Sequence, residues 1–555
     1  MTREAAVPVA PPPRPGRGWL AASLAVALLA LAPVAGLVGL ASRGSGDLWP
    51  HLAAYVLPRA LLDTVLLLMG VGVVASAIGV GAAWLVTAYR FPGRGLFDWL
   101  LLLPLAMPTY IAAYAYLDLL HPIGPVQATL RGLFGIARPQ DLWFPDIRSL
   151  GGCAALLGLV LYPYVYLTTR ALFLTQSANM LEAARTLGAG GVRAFGTVAL
   201  PLARPAIAVG VSLALMEALN DIGAAEFLGV RTLTVSIYST WVNRSSVEGA
   251  AQIALAMLAI VLALVFVERF ARRRHGIAAA ANAPRRASAR TPGGFGQTLC
   301  VLACALPILL GFGAPAAYLA VAALERVAEF GLPPQLGREI WNSTAFAGAA
   351  TLLAVTLGFL VAYAARMTRE APMARVALRA ASVGYAMPGA VLAVGLLTPL
   401  AAFDNAVDGV MRQAFGVSTG LLLSGAGAAL VYAYVVRFLA IPIGAAEAGL
   451  ARIPLTLDHA ARSLGAGPSG LARSVHLPLA APAVGAAALL VFVDAMKELP
   501  ATLLLRPLNV ETLATHVYGE AARGTYESGA VAALAIVLCG LPPVALIARA
   551  SLRRG

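Results

Sequence analysis

"EAARTLGAGGVRAFGTVALPLARPAI", residues 182–207, returns at 459–484 as "HAARSLGAGPSGLARSVHLPLAAPAV". Ala183 aligns with Ala460, an offset of 460 − 183 = 277, and from there 14 of 25 positions are identical, too many for an accident of composition. Other landmarks keep nearly the same spacing. "LAMP" (105–108) answers "YAMP" (385–388) at offset 280, and "RALLDT" (59–64) answers "REIWNS" (338–343) at 279. The chain therefore reads as two fused copies of one unit. Residues 1–18 form a tail, 19–271 the first half, 272–296 an arginine-rich linker and 297–555 the second half. Each repeated stretch, about 178–201 and about 455–478, reads as a short helix, a glycine-bearing turn and a second short helix. Ala183, Ala184, Ala460 and Ala461 are strong helix formers of little bulk. Gly188 and Gly465 permit a sharp turn. Pro201 and Pro478 suit the first turn of the helix that follows.

What those halves are made of is apolar. Hydrophobic residues make up 60% of the chain and charged residues 12%, about half the charged share of a soluble protein. Twelve runs reach the roughly 20 residues a bilayer core requires: 19–41, 61–88, 96–120, 150–172, 203–228, 249–271, 297–323, 345–367, 376–401, 419–443, 480–505 and 529–550. The expected fold is an all-α polytopic membrane protein, two parallel six-helix repeats. The net charge of +14 does not require nucleic acid. With the N-terminus placed in the cytoplasm and the spans alternating, 27 of the 40 basic residues fall on the cytoplasmic side, the positive-inside bias. Both termini are then cytoplasmic. The four cysteines all lie in apolar runs without metal-ligand spacing, and the six histidines are scattered; no metal site is expected from either.

Six spans per half is an even number, so both halves share one orientation. Parallel repeats pack about a pseudo-two-fold axis along the membrane normal, which sets equivalent residues opposite one another. That gives meaning to the charges inside the spans. Lys497 is the only lysine in the chain, and it stands with Asp494 and Glu498 in "VFVDAMKELP" (491–500). At i, i+3, i+4 all three would share one face of a continuous helix. At offset 277 their partners are Glu217, Asn220 and Asp221. Ionisable groups within spans mark a pathway, a gate or an internal pair. Two readings stay open: carboxylates lining the route of a cation, since hard ions favour oxygen, or a compensated cluster that binds helices and seals a gate.

The repeated loops resemble a known family. Glu182-Ala183-Ala184, then Gly188, then Val198-Ala199-Leu200-Pro201 match the coupling loop of binding-protein-dependent ABC importer permeases of type I. The second copy matches from Ala460 and Ala461 through Gly465 to Val475-His476-Leu477-Pro478, but His459 stands where the glutamate is expected. The adjacent Asp458 would point about 100° away around a helix. The segments 104–120, 219–241 and 491–518 resemble the ferric-iron branch more narrowly. The resemblance implies a transport subunit of the bacterial inner membrane without catalytic residues, two cytoplasmic ABC ATPase subunits docked on the loops, a periplasmic iron-binding protein, and ATP with Mg used by the ATPases. The sequence supports the separate ATPase on its own: a phosphate-binding loop needs Gly-Lys-[Ser/Thr], and the one lysine lies between Met496 and Glu498. The alternatives are an ABC permease for another solute, such as thiamine or a polyamine, and a proton-coupled secondary transporter using Glu217, Asp221, Asp494 and Glu498.

Overall fold

A computed structural model describes residues 17–175, 186, 190–278, 289–368 and 371–552. Its architecture is helical; among the described residues the sole pairing of extended backbone is an isolated bridge between Tyr89 and Arg290. Ten helices among those residues are long and apolar enough to cross a membrane, or twelve if each of two bent pairs is one span. Counted that way, they overlap the twelve runs read from the sequence. The bent pairs are Arg94–Ala106 with Thr109–Leu119, at 90°, and Ala428–Phe438 with Ala440–Ala451, at 45°. The first bend falls at Met107-Pro108, where the proline has no N–H to continue the ladder.

Three spans differ from expectation, each at a break. The run 376–401 does not begin a span at 376: an amphipathic helix Pro372–Ala381 precedes, and the span Gly389–Phe415 starts after Met387-Pro388. The run 203–228 stops at Asn220 and resumes as the short helix Gly223–Phe227. The run 480–505 stops at Met496 and resumes as Pro500–Leu505. The second short helix of each repeated loop is also not separate. Gly191–Ala194 and Pro468–Leu471 run through π-helical turns, Phe195–Ala199 and Ala472–His476, directly into the long helices that follow. In both, the wide turn ends just before Leu-Pro. The proline ring crowds the carbonyl four residues earlier and offers it no donor, and widening the helix by one residue relieves both.

The chain forms two compact units, which are not the two repeats. One is built from the described parts of Met1–Ala32, Ala350–Tyr385 and Val435–Val491. Its core packs Val26, Ala27 and Ala30 on Val361, Ala377, Leu439 and Ile443, with a second cluster of Ala362, Ala446, Leu450 and Ala480. The other comprises the described parts of Pro33–Ala349, Ala386–Tyr434 and Phe492–Gly555. There the helices Leu57–Ala88 and Leu150–Thr175 pack closely because Gly79 has no side chain; a Cβ would come within 2.9 Å of the Tyr162 carbonyl. Small residues at such crossings are how membrane helices gain dispersion contact.

The repeat is visible in local chemistry as well as in sequence. Thr64 accepts the backbone N–H of Leu233 at 2.9 Å, and its equivalent Ser343 accepts that of Leu513 at 2.8 Å. Thr232 and Thr512 then cap the helices Leu233–Val242 and Leu513–Arg523.

Candidate functional site

The six polar positions of the spans all lie in the larger unit, at the two helix breaks. Asp221 is the first residue beyond the helix Leu200–Asn220. Its Oδ1 accepts the N–H groups of Ala224 at 2.7 Å and Ala225 at 3.2 Å, and its Oδ2 accepts the Thr109 hydroxyl. Glu498 repeats the arrangement. Its carboxylate accepts the N–H of Ala501 and of Thr502 at 3.1 Å, and the Thr502 hydroxyl at 3.1 Å. Both acids are buried, 7% and 5% exposed. Each sits just ahead of the short helix whose first turn it binds, where orphan N–H groups and the helix dipole favour negative charge. Each also abuts a second helix start. Thr109 opens Thr109–Leu119, and Gly389, where a Cβ would collide with Glu498 Oε1, opens Gly389–Phe415.

This corrects one expectation. Asp494, Lys497 and Glu498 do not share a helix face, because the helix ends at Met496. Lys497 Nζ reaches back one turn to Asp494 Oδ1 at 2.9 Å, both side chains 30% exposed, while Glu498 turns forward to the next helix. In the first half Glu217 and Asn220 lie in the last turns of their helix, and Asn220 Oδ1 accepts the N–H of Gly389 at 2.8 Å. One half thus caps a helix of the other. Among the described residues no group of three or more His, Cys, Asp or Glu is placed to hold a metal ion. The Asp494–Lys497 pair has a consequence for mutants. Lys497→Met should reduce transport, and Asp494→Asn in the same chain should restore it, because it removes the charge the lysine balances. Glu498→Gln should not, because that carboxylate is held by backbone N–H groups. Uptake rates of the three variants check this; rescue by Glu498→Gln instead would reverse the assignment.

Sequence reasoning missed a second cluster. Tyr238 and Tyr518 are equivalent at offset 518 − 238 = 280, and their rings meet edge to face, centroids 6.2 Å apart. Equivalent residues touch where a pseudo-two-fold axis passes between them. Tyr518 donates to Glu226 Oε2 at 2.5 Å and stacks on Phe227. The signal was available: a tyrosine at the same place in both copies of a helix following the broken span.

The coupling-loop residues divide. Glu182, Ala183, Ala184 and Gly188 lie outside the described residues; Pro201 is the second residue of Leu200–Asn220. The second loop is described throughout and lies in the smaller unit. His459 and Ala460 are exposed on the helix Leu455–Ser463, and Ala461 is half-buried. Gly465 ends that helix with φ of +84°. Its N–H donates to Arg462 O at 2.9 Å and that of Ala466 to Ala461 O at 3.0 Å, the paired bonds of a left-handed helix stop. Leu464, at the tip, is 89% exposed. Pro478 is the second residue of Leu477–Met496.

Asp458 takes no part in the exposed face that carries His459. It points inward, 3% exposed, and binds Arg366 Nη2 at 2.9 Å and His476 Nε2 at 2.8 Å. Arg366 also donates to the carbonyls of Leu450 and Ile453, and Tyr363 donates to Pro468 O at 2.6 Å. Burial pushes the Asp458 carboxyl up, but the bonds from Arg366 and His476 outweigh it and hold it below the usual carboxylate range. The last turn of Leu336–Met367 thereby clasps both ends of the loop. The first half does this differently. Trp84 and Ala199, equivalent to Tyr363 and His476, belong to an apolar cluster with Phe173 and Phe195. Gly465→Pro should break the stop, since proline cannot adopt positive φ and has no N–H. The expected result is a protein that still inserts but takes up substrate several-fold more slowly per ATP hydrolysed; Gly465→Ala, strained by about 1 kcal/mol, should fall between. The ratio of uptake to hydrolysis checks it.

The profile of the binding-protein-dependent transport system inner membrane component matches residues 75–275. A molybdenum transport system permease protein of Escherichia coli is 31% identical over 209 residues, 36% of this chain and 87% of that protein. The chain belongs to this permease family. A sulfate transport system permease protein of Salmonella typhimurium is 31% identical over 209 residues, covering 37% of this permease and 71% of its own length. An Fe(3+)-transport system permease protein of Haemophilus influenzae is 25% identical over 493 residues, 88% of this permease and 89% of its own length. The chain is therefore a multi-pass inner-membrane transport subunit of an ABC importer, a class that works with a binding protein and an ATPase.

Proposed function

We propose that this permease forms the whole translocation path for ferric iron, with both termini in the cytoplasm, two cytoplasmic ATPase subunits on its loops and a periplasmic binding protein that delivers the ion. The observation that carries the ferric assignment is length. Similarity to the Fe(3+) permease runs through both fused halves, 88% of the chain, whereas the molybdenum and sulfate permeases align with little more than a third. Those two, at higher identity over that third, favour the second reading, an oxyanion as cargo.

The cycle is alternating access. ATP, with Mg, is used by the ATPases; their closure pulls the loops at 182–201 and 459–478 and rocks the halves. In the second half the pull enters through the exposed face around His459 and Leu464. The Arg366–Asp458–His476 clasp passes it to the end of Leu336–Met367, and His476 passes it into Leu477–Met496, the helix that carries Asp494 in its last turn. The buried acids Asp221 and Glu498 serve as fixed pivots, their charge met by backbone N–H groups. Asp494, Lys497 and Glu217 are the charges that face the path or its gate. The test is uptake of labelled ferric iron into proteoliposomes holding the permease, ATPase and binding protein, with molybdate and sulfate as competitors. Uptake of either oxyanion, without iron uptake, would favour the second reading.

A further inference from the structure

A cavity of about 320 Å³ in the smaller unit is lined by Arg366, Arg375, Arg379 and Glu447. Arg366 is committed to Asp458. Arg375 and Arg379 lie one turn apart on the amphipathic helix Pro372–Ala381, exposed and without a hydrogen-bond or ion-pair partner among the described residues. Glu447, on Ala440–Ala451, is exposed and unpartnered in the same sense. At 100° per residue, the strip holding Arg375 and Arg379 runs between two apolar strips. One is buried, with Ala374 and Ala377; the other is exposed, with Met373 at 55% and Val376 at 63%. Guanidinium groups beside exposed apolar side chains, at the end of a membrane span, place this helix in the interface between headgroups and acyl chains.

We propose that the cavity binds the headgroup of a phosphatidylethanolamine, its phosphodiester on Arg375 and Arg379, its ammonium on Glu447, and its acyl chains along Met373 and Val376. Arginine pairs bind phosphate oxygens through their fork geometry, and basic pockets between membrane helices take lipid headgroups. The carboxylate decides between lipids. A purely anionic headgroup would meet Glu447 as a like charge, whereas a headgroup carrying both signs satisfies all three side chains. The site is indifferent to the identity of the cargo.

The test is native mass spectrometry of the purified permease with dioctanoyl phosphatidylethanolamine, dioctanoyl phosphatidylglycerol, soluble phosphoethanolamine or inorganic phosphate. The expected result is retention of phosphatidylethanolamine at several-fold lower concentration than phosphatidylglycerol, and little retention of the soluble compounds. The Arg375→Gln/Arg379→Gln double variant should lose at least tenfold in affinity, the loss that a single charge-assisted bond predicts. Glu447→Gln should erase the preference while still binding phosphatidylglycerol. All three side chains are exposed, so unchanged thermal unfolding is expected to show intact folds. Equal binding by wild type and the double variant, a preference for phosphatidylglycerol, a preference that survives Glu447→Gln, or equally tight binding of the soluble compounds overturns the proposal.

Discussion

Gly389→Thr is expected to destabilise the permease severely, and Glu498→Asp in the same chain to restore it. The two halves solve one packing problem with opposite choices. In the first, the shorter acid Asp221 meets the hydroxyl of Thr109; in the second, the longer acid Glu498 occupies the space left by Gly389. A Cβ at Gly389 would collide with Glu498 Oε1 and lie 3.0 Å from the Ala501 nitrogen, so the carboxylate must leave the N–H groups it caps. Overpacking costs about 1–3 kcal/mol, and each buried donor left unmet adds about 1–3 kcal/mol. Shortening the acid by one methylene while adding the threonine rebuilds the first half's pair. The measurement is thermal unfolding in detergent, read by a thiol-reactive fluorophore on Cys153, Cys300 and Cys304, which are buried in the fold. A double variant no more stable than Gly389→Thr alone would show that the two sites are not one packing unit.

The second large effect is expected at Asp458. Asp458→Ala leaves the Arg366 guanidinium buried without its counter-ion, and breaking such a pair costs about 3–5 kcal/mol. Because the clasp joins the loop to the end of Leu336–Met367, uptake per ATP should fall further than stability alone explains. Arg366→Met with Asp458→Leu should recover stability, since a well-packed apolar pair replaces a buried ionic one at little cost, but not coupling. The pH dependence has a definite sign. The folded carboxyl titrates below its usual range, so its contribution is present above the unfolded value and lost as pH falls through the folded one. Asp458→Asn should therefore flatten the acid limb of the stability profile. An unchanged acid limb would mean that Asp458 is not held as a buried carboxylate.

The spans, the duplication and the second loop's glycine stop were legible because each rests on a local rule: apolar length, self-similarity, and a left-handed position that suits glycine. The helix breaks were not. The spacing of Asp494, Lys497 and Glu498 implies one face only if the helix continues, and apolar flanks gave no reason to end it. The signals lay just beyond, in Gly223 and Pro500, each at the start of a short helix. An acid two residues before such a start reads as a cap. The clasp was illegible for another reason: Arg366 and His476 lie 92 and 18 residues from Asp458, and only folding brings the three together. His476 and Tyr363 also differ from their counterparts Ala199 and Trp84, so the repeat itself concealed them.

If ATP-driven movement of the loops carries ferric iron through this permease, uptake must depend on ATP and on nothing else as its energy source. The most direct measurement is uptake of labelled ferric iron by proteoliposomes containing the permease and ATPase, with the loaded binding protein outside and ATP within. The predicted result is uptake that requires both ATP and the binding protein, survives collapse of the proton gradient, and falls several-fold per ATP hydrolysed in Gly465→Pro. Uptake driven by a proton gradient without ATP would contradict it.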